Sequence, residues 1–166
     1  MSKTMIISGF PGVGKTFCCE NIKKIKAYDC DSSSYHYLKD SFGIHGPIKQ
    51  DGSEWVKDYV DAIIKVQELG DAEKGHYDYI FISCHKEVRD ELRRRGINYL
   101  IVAPKRELKN AYLIRYLKRG SHLSFIKSMS ESWDIKLSSV DADPMPTIYL
   151  DYGEDISDIL HANFQY

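Results

Sequence analysis

The stretch SGFPGVGKTF near the start of this 166-residue chain follows the apolar run TMII and constrains the fold more than any other feature. Gly9, Gly12 and Gly14 are followed directly by Lys15 and Thr16. Glycine allows positive φ angles and close approach of the backbone to a ligand. Backbone N–H groups gathered in such a turn, before a helix with partial positive charge at its start, form a site for an anion. We therefore expect a strand, an anion-binding turn and a helix, in this order.

Residues 9–16 match G-x-x-x-x-G-K-[ST] at every position. In this motif we expect Lys15 to reach the β- and γ-phosphates of ATP or another nucleoside triphosphate, and the hydroxyl of Thr16 to hold Mg²⁺. The residues predicted to bind the nucleotide are Gly9, Pro11, Gly12, Val13, Gly14, Lys15, Thr16 and Phe17. The alternative is a glycine-rich turn with an incidental lysine. The motif predicts triphosphate binding and leaves the fate of the γ-phosphate open.

Composition predicts one cytoplasmic domain without a membrane partner. The length suits a single domain with its own core. The formal net charge is −1, so a nucleic acid would need a local basic patch. The four cysteines lack zinc-ligand spacing, which favours a reduced compartment. We see neither a signal peptide nor an apolar run approaching the roughly 20 residues that span a bilayer.

Apolar runs alternate with helical patterns along the chain. The runs cover residues 4–8, 25–29, 77–83, 98–103 and 147–150. Helical patterns follow Lys15 and cover about 53–69, 86–95, 106–119, the stretch from Phe125 to Trp133, and the C-terminal EDISDILHANF. Most of the apolar runs are continuous, which is typical of parallel strands covered on both faces. The pattern predicts an open parallel α/β sheet, and the Gly-, Pro- and Asp-rich segment 40–53 predicts a loop.

GFPGVGKT in a short α/β chain resembles the P-loop kinases of small molecules, which include nucleoside monophosphate, shikimate and gluconate kinases. Small phage-encoded nucleotide kinases have a similar outline. The resemblance implies a three-layer α/β/α P-loop NTPase fold whose five parallel strands take the order 2-3-1-4-5, with the site at their carboxyl ends. It also implies a single domain over residues 1–166, an acceptor-binding insertion at about 32–76 and a short lid at about 115–125.

Two acidic residues, Asp29 and Asp31, end the second apolar run in AYDCDSSSYH. This D-x-D is similar to the shikimate kinase pattern, in which one carboxylate helps to hold Mg²⁺ and the other contacts the acceptor. We assign Asp29 to the metal and Asp31 to the acceptor, where a carboxylate can orient a hydroxyl or take its proton; the opposite assignment stays open. The alternative is turn chemistry, because Asp and Ser are common in turns and at helix starts.

The acceptor region 32–76 contains no arginine. Nucleoside monophosphate kinases hold the acceptor phosphate with arginines, so this departure favours a hydroxyl acceptor such as a nucleoside or the 5′ end of an oligonucleotide. The region does offer aromatic side chains for stacking on a base, namely Tyr35, Tyr37, Phe42 and Trp55.

The third apolar run ends in Ser83 and is followed by CHKEVR. The usual acidic position of the motif would be near Ser83, but the nearest carboxylate, Asp78, stands at the wrong end of the run. His85 is a candidate contact for the acceptor or the γ-phosphate, or a polar loop residue. Arg89 points either to the same pocket or to solvent beside its acidic neighbours. The run Arg93, Arg94 and Arg95 is explained by the helix dipole and solvation.

Arg115 and Arg119 are four residues apart on a predicted helix and therefore share a face. In the kinase family the matching helix leads into a lid whose arginines close over the transferred phosphoryl group. Guanidinium groups bind phosphate oxygens in pairs and stabilise the charge of the transition state. Gly120 could act as the hinge. The alternative is an exposed basic helix face.

Together these features predict a phosphotransferase that uses ATP (or another NTP) and Mg²⁺ and acts on a nucleotide, a nucleoside or a similar small acceptor. Nucleic acid enters only as a 5′-hydroxyl substrate. The competing hypothesis is an NTP-binding switch or slow NTPase without an acceptor. A third is a nucleotide-binding module that has lost its chemistry, although the intact Lys15 and Thr16 argue against it.

Overall fold

Strands and helices alternate along the chain, and the computed structural model describes residues 4–21, 25–30, 32, 37–39, 45–49, 54–72 and 77–163. The strands are β1 (Met5–Gly9), β2 (Ala27–Asp29), β3 (Tyr37–Lys39), β4 (His45–Lys49), β5 (Tyr79–Ser83), β6 (Leu100–Pro104) and β7 (Thr147–Leu150). The helices are α1 (Lys15–Asn21), α2 (Glu54–Ala72), α3 (Lys86–Arg94), α4 (Lys109–Lys118), α5 (Leu123–Asp141) and α6 (Ile156–Asn163). A 3₁₀ turn, Arg106–Leu108, precedes α4.

Five strands form one parallel sheet in the order β2-β5-β1-β6-β7. This confirms the predicted α/β fold with the order 2-3-1-4-5, because β5, β6 and β7 are the third, fourth and fifth strands of this sheet along the chain. Gly9 at the end of β1 pairs in register with Ser83 at the end of β5. Since neighbouring strands are about 4.8 Å apart, the residues that follow these two strands begin side by side at one edge of the sheet.

Both faces of the central strand are covered. Ile6 and Ile7 are 1% and 0% exposed. Successive side chains of a strand point to opposite faces, so both faces of β1 are covered from Ile6 onwards, and only its first residue, Met5, is exposed. Trp133 of α5 packs edge-on against Phe10, with 5.2 Å between the ring centroids. This contact places α5 against the carboxyl end of β1, where the loop of residues 9–16 begins, which we call the phosphate loop after its predicted role.

The predicted loop at 40–53 is wrong over β4. This strand pairs antiparallel with β3 in a separate two-stranded sheet, in which Tyr37 pairs with Lys49 and Lys39 pairs with His45. Pro47 lies in the middle of β4. Proline cannot donate to a ladder, but it is tolerated on edge strands, and a two-stranded sheet consists only of edges. The glycine and proline content that predicted a loop therefore does not exclude a hairpin strand here.

Glycines end two helices where the sequence predicts. Gly96, with φ of +72°, follows α3, and Gly120, with φ of +82°, follows α4. Both stand in the left-handed conformation that terminates helices and that glycine adopts without strain. Within the described residues, no helix combines the length and the apolar character needed to cross a bilayer.

Candidate active site

A side chain at any of the three glycines of the phosphate loop would be crowded by a neighbour. A Cβ on Gly9 would lie 2.7 Å from Cδ of Lys15. Gly12 has φ of +90°, and its Cβ would lie 2.8 Å from Cε1 of Tyr116. Gly14 has φ of +97° and would meet Asp155 at 3.1 Å. The positive φ angles of Gly12 and Gly14 and the buried Tyr116 ring beside Gly12 therefore favour glycine in this loop.

The backbone of the loop is fixed from both sides. The N–H of Val13 donates to the carbonyl of Phe10 at 3.2 Å, and its carbonyl accepts from the N–H of Ile156 at 2.8 Å. The Val13 side chain is buried in the core. Lys15, the first residue of α1, folds back so that Nζ donates to the carbonyl of Gly9. The ammonium group thus lies directly over the turn that the motif assigns to phosphates.

A hydroxyl and a carboxylate meet beside the loop. Oγ1 of Thr16 donates to Oδ2 of Asp29, which ends β2, at 2.9 Å. Mg²⁺ takes oxygen ligands and is usually bound through one or two carboxylates together with substrate phosphates, so this pair of side chains fits the ion that the motif implies. Across the described residues, His, Cys, Asp and Glu form no group of three or more that could hold a metal. Asp31, the second predicted carboxylate, lies outside the described residues.

Arg115 of α4 contacts the loop, and Arg119, which directly follows α4, contacts a tyrosine that binds the loop. Nη1 of Arg115 donates to the carbonyl of Gly12, and its Cζ lies 4.4 Å from the ring centroid of Tyr112. Cζ of Arg119 lies 4.9 Å from the ring centroid of Tyr116, and its Nε donates to Ser121 at 2.8 Å. Arg115 thus contacts the loop directly, whereas Arg119 contacts Tyr116 and not the loop; both side chains line the same cavity. Their role in transfer stays a prediction.

Tyr116 connects α4 to the same loop. Its hydroxyl donates to the carbonyl of Pro11 at 2.6 Å. Burial raises the pKa of this phenol above its ordinary value. The group therefore stays protonated and keeps its role as a donor to the loop.

One cavity of about 700 Å³ joins the phosphate loop to two further walls. The first wall is the loop itself, with Arg115 and Arg119. The second is formed by residues 83–87 after β5, and the third by the side of α5 that carries Phe125, Met129, Lys136 and Ser139. The α5 wall was not predicted from the sequence. The spacing of apolar residues predicts a helix and its buried side, but it does not indicate which polar residues of the helix line a cavity. Of the predicted nucleotide-binding residues, all but Val13 line this cavity.

His85 stands at the start of α3 but does not cap the helix with its side chain. Instead its Nδ1 lies 2.9 Å from Oγ of Ser83. Its ring also packs edge-to-face with the ring of Trp55, with 5.4 Å between the centroids. Trp55 is 5% exposed, so this side chain, which the sequence offered for stacking on a base, is part of the core. The side chains of the other three candidates, Tyr35, Tyr37 and Phe42, lie outside the described residues.

Arg89 serves neither of its two predicted roles. It is 1% exposed and pairs with Asp143, which follows α5, so it reaches neither solvent nor the cavity. Arg93 also pairs with Asp143, whereas Arg95 pairs with Asp61 of α2. Specific partners, and not only the helix dipole and solvation, therefore hold this basic run. No local pattern shows a partner 54 residues away.

The carboxyl edge of β5 has no carboxylate of its own, as predicted. Ser83 ends the strand. Asp78 precedes it, and its carbonyl accepts from the N–H of Met5 at the start of β1. A carboxylate beside Thr16 therefore comes from the neighbouring strand β2, where Asp29 accepts the hydrogen bond of Thr16.

Two cysteines of α1 are neutral thiols beside the site. Burial, followed by the charge of Asp155, raises the pKa of Cys18 to about 11. Burial, followed by the charge of Asp29, raises the pKa of Cys19 to about 12. Thiolates are the nucleophilic form, so neither group is activated here. All four cysteines of the chain carry thiols and not disulfides.

Similar folds occur among solved structures. No protein-family model matches the chain, and no curated protein matches it. The tunicamycin resistance protein of Deinococcus radiodurans has a TM-score of 0.59 at 15% identity, over 98% of this chain and 93% of that one. A sugar kinase from Janibacter, in its unliganded structure, has a TM-score of 0.55 at 17% identity, over 98% of this chain and 92% of that one. At these identities the similarity shows the fold alone.

Proposed function

We propose that this protein is a phosphotransferase that moves the γ-phosphoryl group of ATP, or another nucleoside triphosphate, to a nucleotide, a nucleoside or a similar small acceptor. The observation that carries the proposal is the shared cavity. It joins a complete phosphate loop to two further walls, formed by residues 83–87 and by α5, that carry polar and apolar side chains. A protein that only bound a triphosphate would not need the additional space between the loop and the other two walls of the cavity.

Each residue of the site has a role in the proposed transfer that follows from its chemistry. Lys15 and the loop N–H groups would bind the phosphates, and Thr16 with Asp29 would hold Mg²⁺. The triphosphate supplies the transferable group, and the metal neutralises charge on its oxygens. Arg115 and Arg119 would stabilise the charge that spreads over the phosphoryl oxygens during transfer. Asp31 is assigned to the acceptor.

The site residues favour a small acceptor. The α5 wall of the cavity mixes Phe125 and Met129 with hydroxyl groups such as Ser128 and Ser139, which suits an organic molecule with several hydroxyls. A sugar kinase has a similar fold, and a hydroxyl acceptor in this proposal agrees with that. We also propose that residues 32–76 contribute to acceptor binding and that residues 115–125 form a short lid.

The deciding experiment is transfer of labelled γ-phosphate from ATP with Mg²⁺. The acceptor pools are nucleosides, nucleoside monophosphates, a 5′-hydroxyl oligonucleotide, and sugars or simple alcohols, with an acceptor-free control. A labelled product from one pool establishes the activity and the acceptor class. Free phosphate released at equal rates in every tube would instead identify a hydrolysing switch.

A matched pair of lysine variants guards this assay against a contaminating kinase. Lys15→Ala removes the ammonium over the loop, and we expect transfer to fall by at least about 100-fold, as when one donor to developing charge is removed. Lys127→Ala removes a lysine whose side chain is 79% exposed and lies 4.0 Å from Glu131. We expect no change from it. Equal rates for the two variants would reject the phosphate-loop assignment.

A further inference from the structure

The hydroxyl of Tyr59 connects the ends of two strands beside the cavity, and this position leads to an inference that rests on the proposed function and deepens it. Tyr59 belongs to α2 and is 0% exposed. Its hydroxyl donates to the carbonyl of Cys30, the residue after β2. The same hydroxyl accepts from the N–H of Ser83, the last residue of β5, at 3.2 Å. One buried phenol oxygen thus bridges the carboxyl ends of two neighbouring strands.

The bridge stands where the sheet would otherwise form a direct hydrogen bond. β2 and β5 pair in parallel up to Asp29 and Phe81, and the N–H of Cys30 still donates to the carbonyl of Phe81 at 2.9 Å. In an evenly spaced parallel ladder the next bond would run from the N–H of Ser83 to the carbonyl of Cys30. Both of these groups bind the Tyr59 hydroxyl. The two strand ends are therefore farther apart than a direct bond allows.

The chain segments that leave these two strands both reach the cavity. Ser83 lines it together with residues 84–87 after β5. Ser32, two residues beyond Cys30, lines it as well. Asp31, which the proposed function assigns to the acceptor, stands between Cys30 and Ser32 in the sequence. The bridge therefore sets the spacing at the point from which the chain carries these residues to the cavity.

The two strand ends are not fixed to the same degree. β5 lies inside the sheet between β2 and β1, and its Ser83 pairs in register with Gly9. The carbonyl of Ser83 also accepts from Oγ of Ser8 at 3.3 Å. β2 is three residues long and lies at the edge of the five-stranded sheet. A change at the bridge would therefore move the end of β2 and the residues that follow it, and not β5.

We infer that Tyr59 is a positioning residue for the acceptor. Its hydroxyl holds the chain after β2 at a fixed distance from β5 and so fixes the point from which Asp31 and Ser32 extend. The phosphate loop is held by other elements, through Arg115 of α4 and Ile156 of α6, and neither contact involves the bridge. The Tyr59 hydroxyl thus acts on the orientation of the acceptor and not on the binding of the triphosphate.

The test is Tyr59→Phe in the full-length protein, which removes the hydroxyl and keeps the ring. We expect kcat/KM for the acceptor identified in the transfer assay to fall at least about tenfold, because a misplacement of about 1 Å can cost about 100-fold in rate. The dissociation constant for ATP, measured without turnover, should stay unchanged. A role in stability alone would not lower kcat/KM for the acceptor while leaving ATP affinity intact.

Tyr99→Phe is the matched control, because it also removes a hydroxyl from a buried tyrosine. Tyr99 is 3% exposed, and its hydroxyl donates to Oδ2 of Asp143 at 2.8 Å. It is not among the residues that line the cavity. We expect Tyr99→Phe to lower the urea midpoint of unfolding and to leave both kcat/KM for the acceptor and ATP affinity unchanged. Both variants are assayed at a temperature at which circular dichroism shows them folded.

Each contrary result has its own meaning. If Tyr59→Phe transfers at the unmodified rate over a range of acceptor concentrations, the hydroxyl has a structural role alone and the inference is overturned. An equal loss of ATP affinity and of kcat/KM for the acceptor also overturns it, because the bridge then acts on the whole site, while the proposed function stands. Absence of transfer to every acceptor pool by the unmodified protein overturns the proposed function, and the inference with it.

Discussion

Arg89 of α3 and Asp143 after α5 form an ion pair in which Nη1 and Oδ2 are 2.6 Å apart and the side chains are 1% and 0% exposed. Nη2 of Arg89 also donates to Oγ of Ser139 at 2.8 Å. Burial alone would raise the pKa of Asp143, but hydrogen bonds from the Met145 N–H and from Arg89 hold it below its ordinary value. The pair joins the helix after β5 to the end of α5, behind two walls of the cavity.

Arg89→Ala should therefore destabilise the fold by about 3 kcal/mol, because it leaves a buried carboxylate with fewer partners. Arg94→Ala is the matched control on the same helix. The Arg94 side chain is 67% exposed and pairs with Glu91, so we expect a change within about 0.5 kcal/mol. Urea unfolding of both variants gives the comparison. A loss below 1 kcal/mol for Arg89→Ala would mean that Arg93 alone satisfies Asp143.

Alanine substitutions at two glycines with positive φ distinguish the cost of backbone strain from the cost of steric crowding. Gly12→Ala would place Cβ 2.8 Å from the buried Tyr116 ring, whereas no described atom lies within 4 Å of a Cβ at Gly96. We expect Gly96→Ala to cost about 1 kcal/mol in unfolding free energy, from φ alone. Gly12→Ala should cost a further 1–3 kcal/mol or so, from overpacking. It should also weaken ATP binding, and Gly96→Ala should not. Equal effects of the two changes would contradict the crowding at the loop.

The oxygen pair of Thr16 and Asp29 predicts a specific metal dependence. Thr16→Val and Asp29→Asn should each raise the Mg²⁺ concentration that half-saturates transfer by about tenfold or more, the usual effect of disturbing a metal ligand or its partner. Removal of Mg²⁺ with a chelator should stop transfer in every variant. The measurement is a Mg²⁺ titration at fixed ATP. An unchanged midpoint in both variants would place the ion on other residues.

The lowered pKa of Glu91 predicts that the protein loses part of its stability at acidic pH. Hydrogen bonds from Arg94 and Arg95 lower the pKa of this carboxyl from 4.5 to about 2. A carboxyl with a lowered pKa in the folded state stabilises the protein above its unfolded pKa, and the contribution is lost as pH falls toward the folded value. The difference in unfolding free energy between the unmodified protein and Glu91→Gln should therefore shrink between pH 5 and about pH 2. Glu131→Gln, at a 68% exposed side chain, is the control, and a constant difference for Glu91→Gln would contradict the prediction.

The structural features that could be predicted from the sequence are those determined by residues close together in the chain. Residues 9–16 specify a turn through glycine geometry, and continuous apolar runs specify strands whose order follows from the fold that the loop implied. Gly96 and Gly120 end helices through their own backbone freedom. In each case the residues that produce the structure are neighbours in the chain.

The parts that failed depend on distant partners or on ambiguous composition. Arg89 reads as a surface residue beside Glu87 and Asp90, and its partner Asp143 becomes visible only when α3 and α5 pack together. Trp55 is equally suited to a base or to a core, and packing against His85 decides between them. The β4 strand contains Pro47 and Gly46, which favour loops everywhere except at a sheet edge.

Arg115 and Arg119 predict different kinetic signatures although they share a helix face. Arg119 is exposed and stacks over Tyr116 and Phe125, so its removal leaves the loop intact. Arg119→Ala should lower kcat by about 100-fold or more, because a guanidinium that stabilises the transferring group acts mainly in the transition state. Arg115 donates to the carbonyl of Gly12, so Arg115→Ala should lower kcat and also weaken ATP binding.

A lysine substitution at Arg119 tests whether the charge alone is sufficient. A lysine keeps the charge but not the paired donors, so Arg119→Lys should recover only a small part of kcat. ATP affinity measured without turnover separates the two effects. If Arg119→Ala weakens ATP binding and leaves kcat unchanged, Arg119 holds the ground state. An unchanged kcat and affinity in both alanine variants would mean that the pair is a basic helix face, because exposed charges away from the reacting group do not affect transfer.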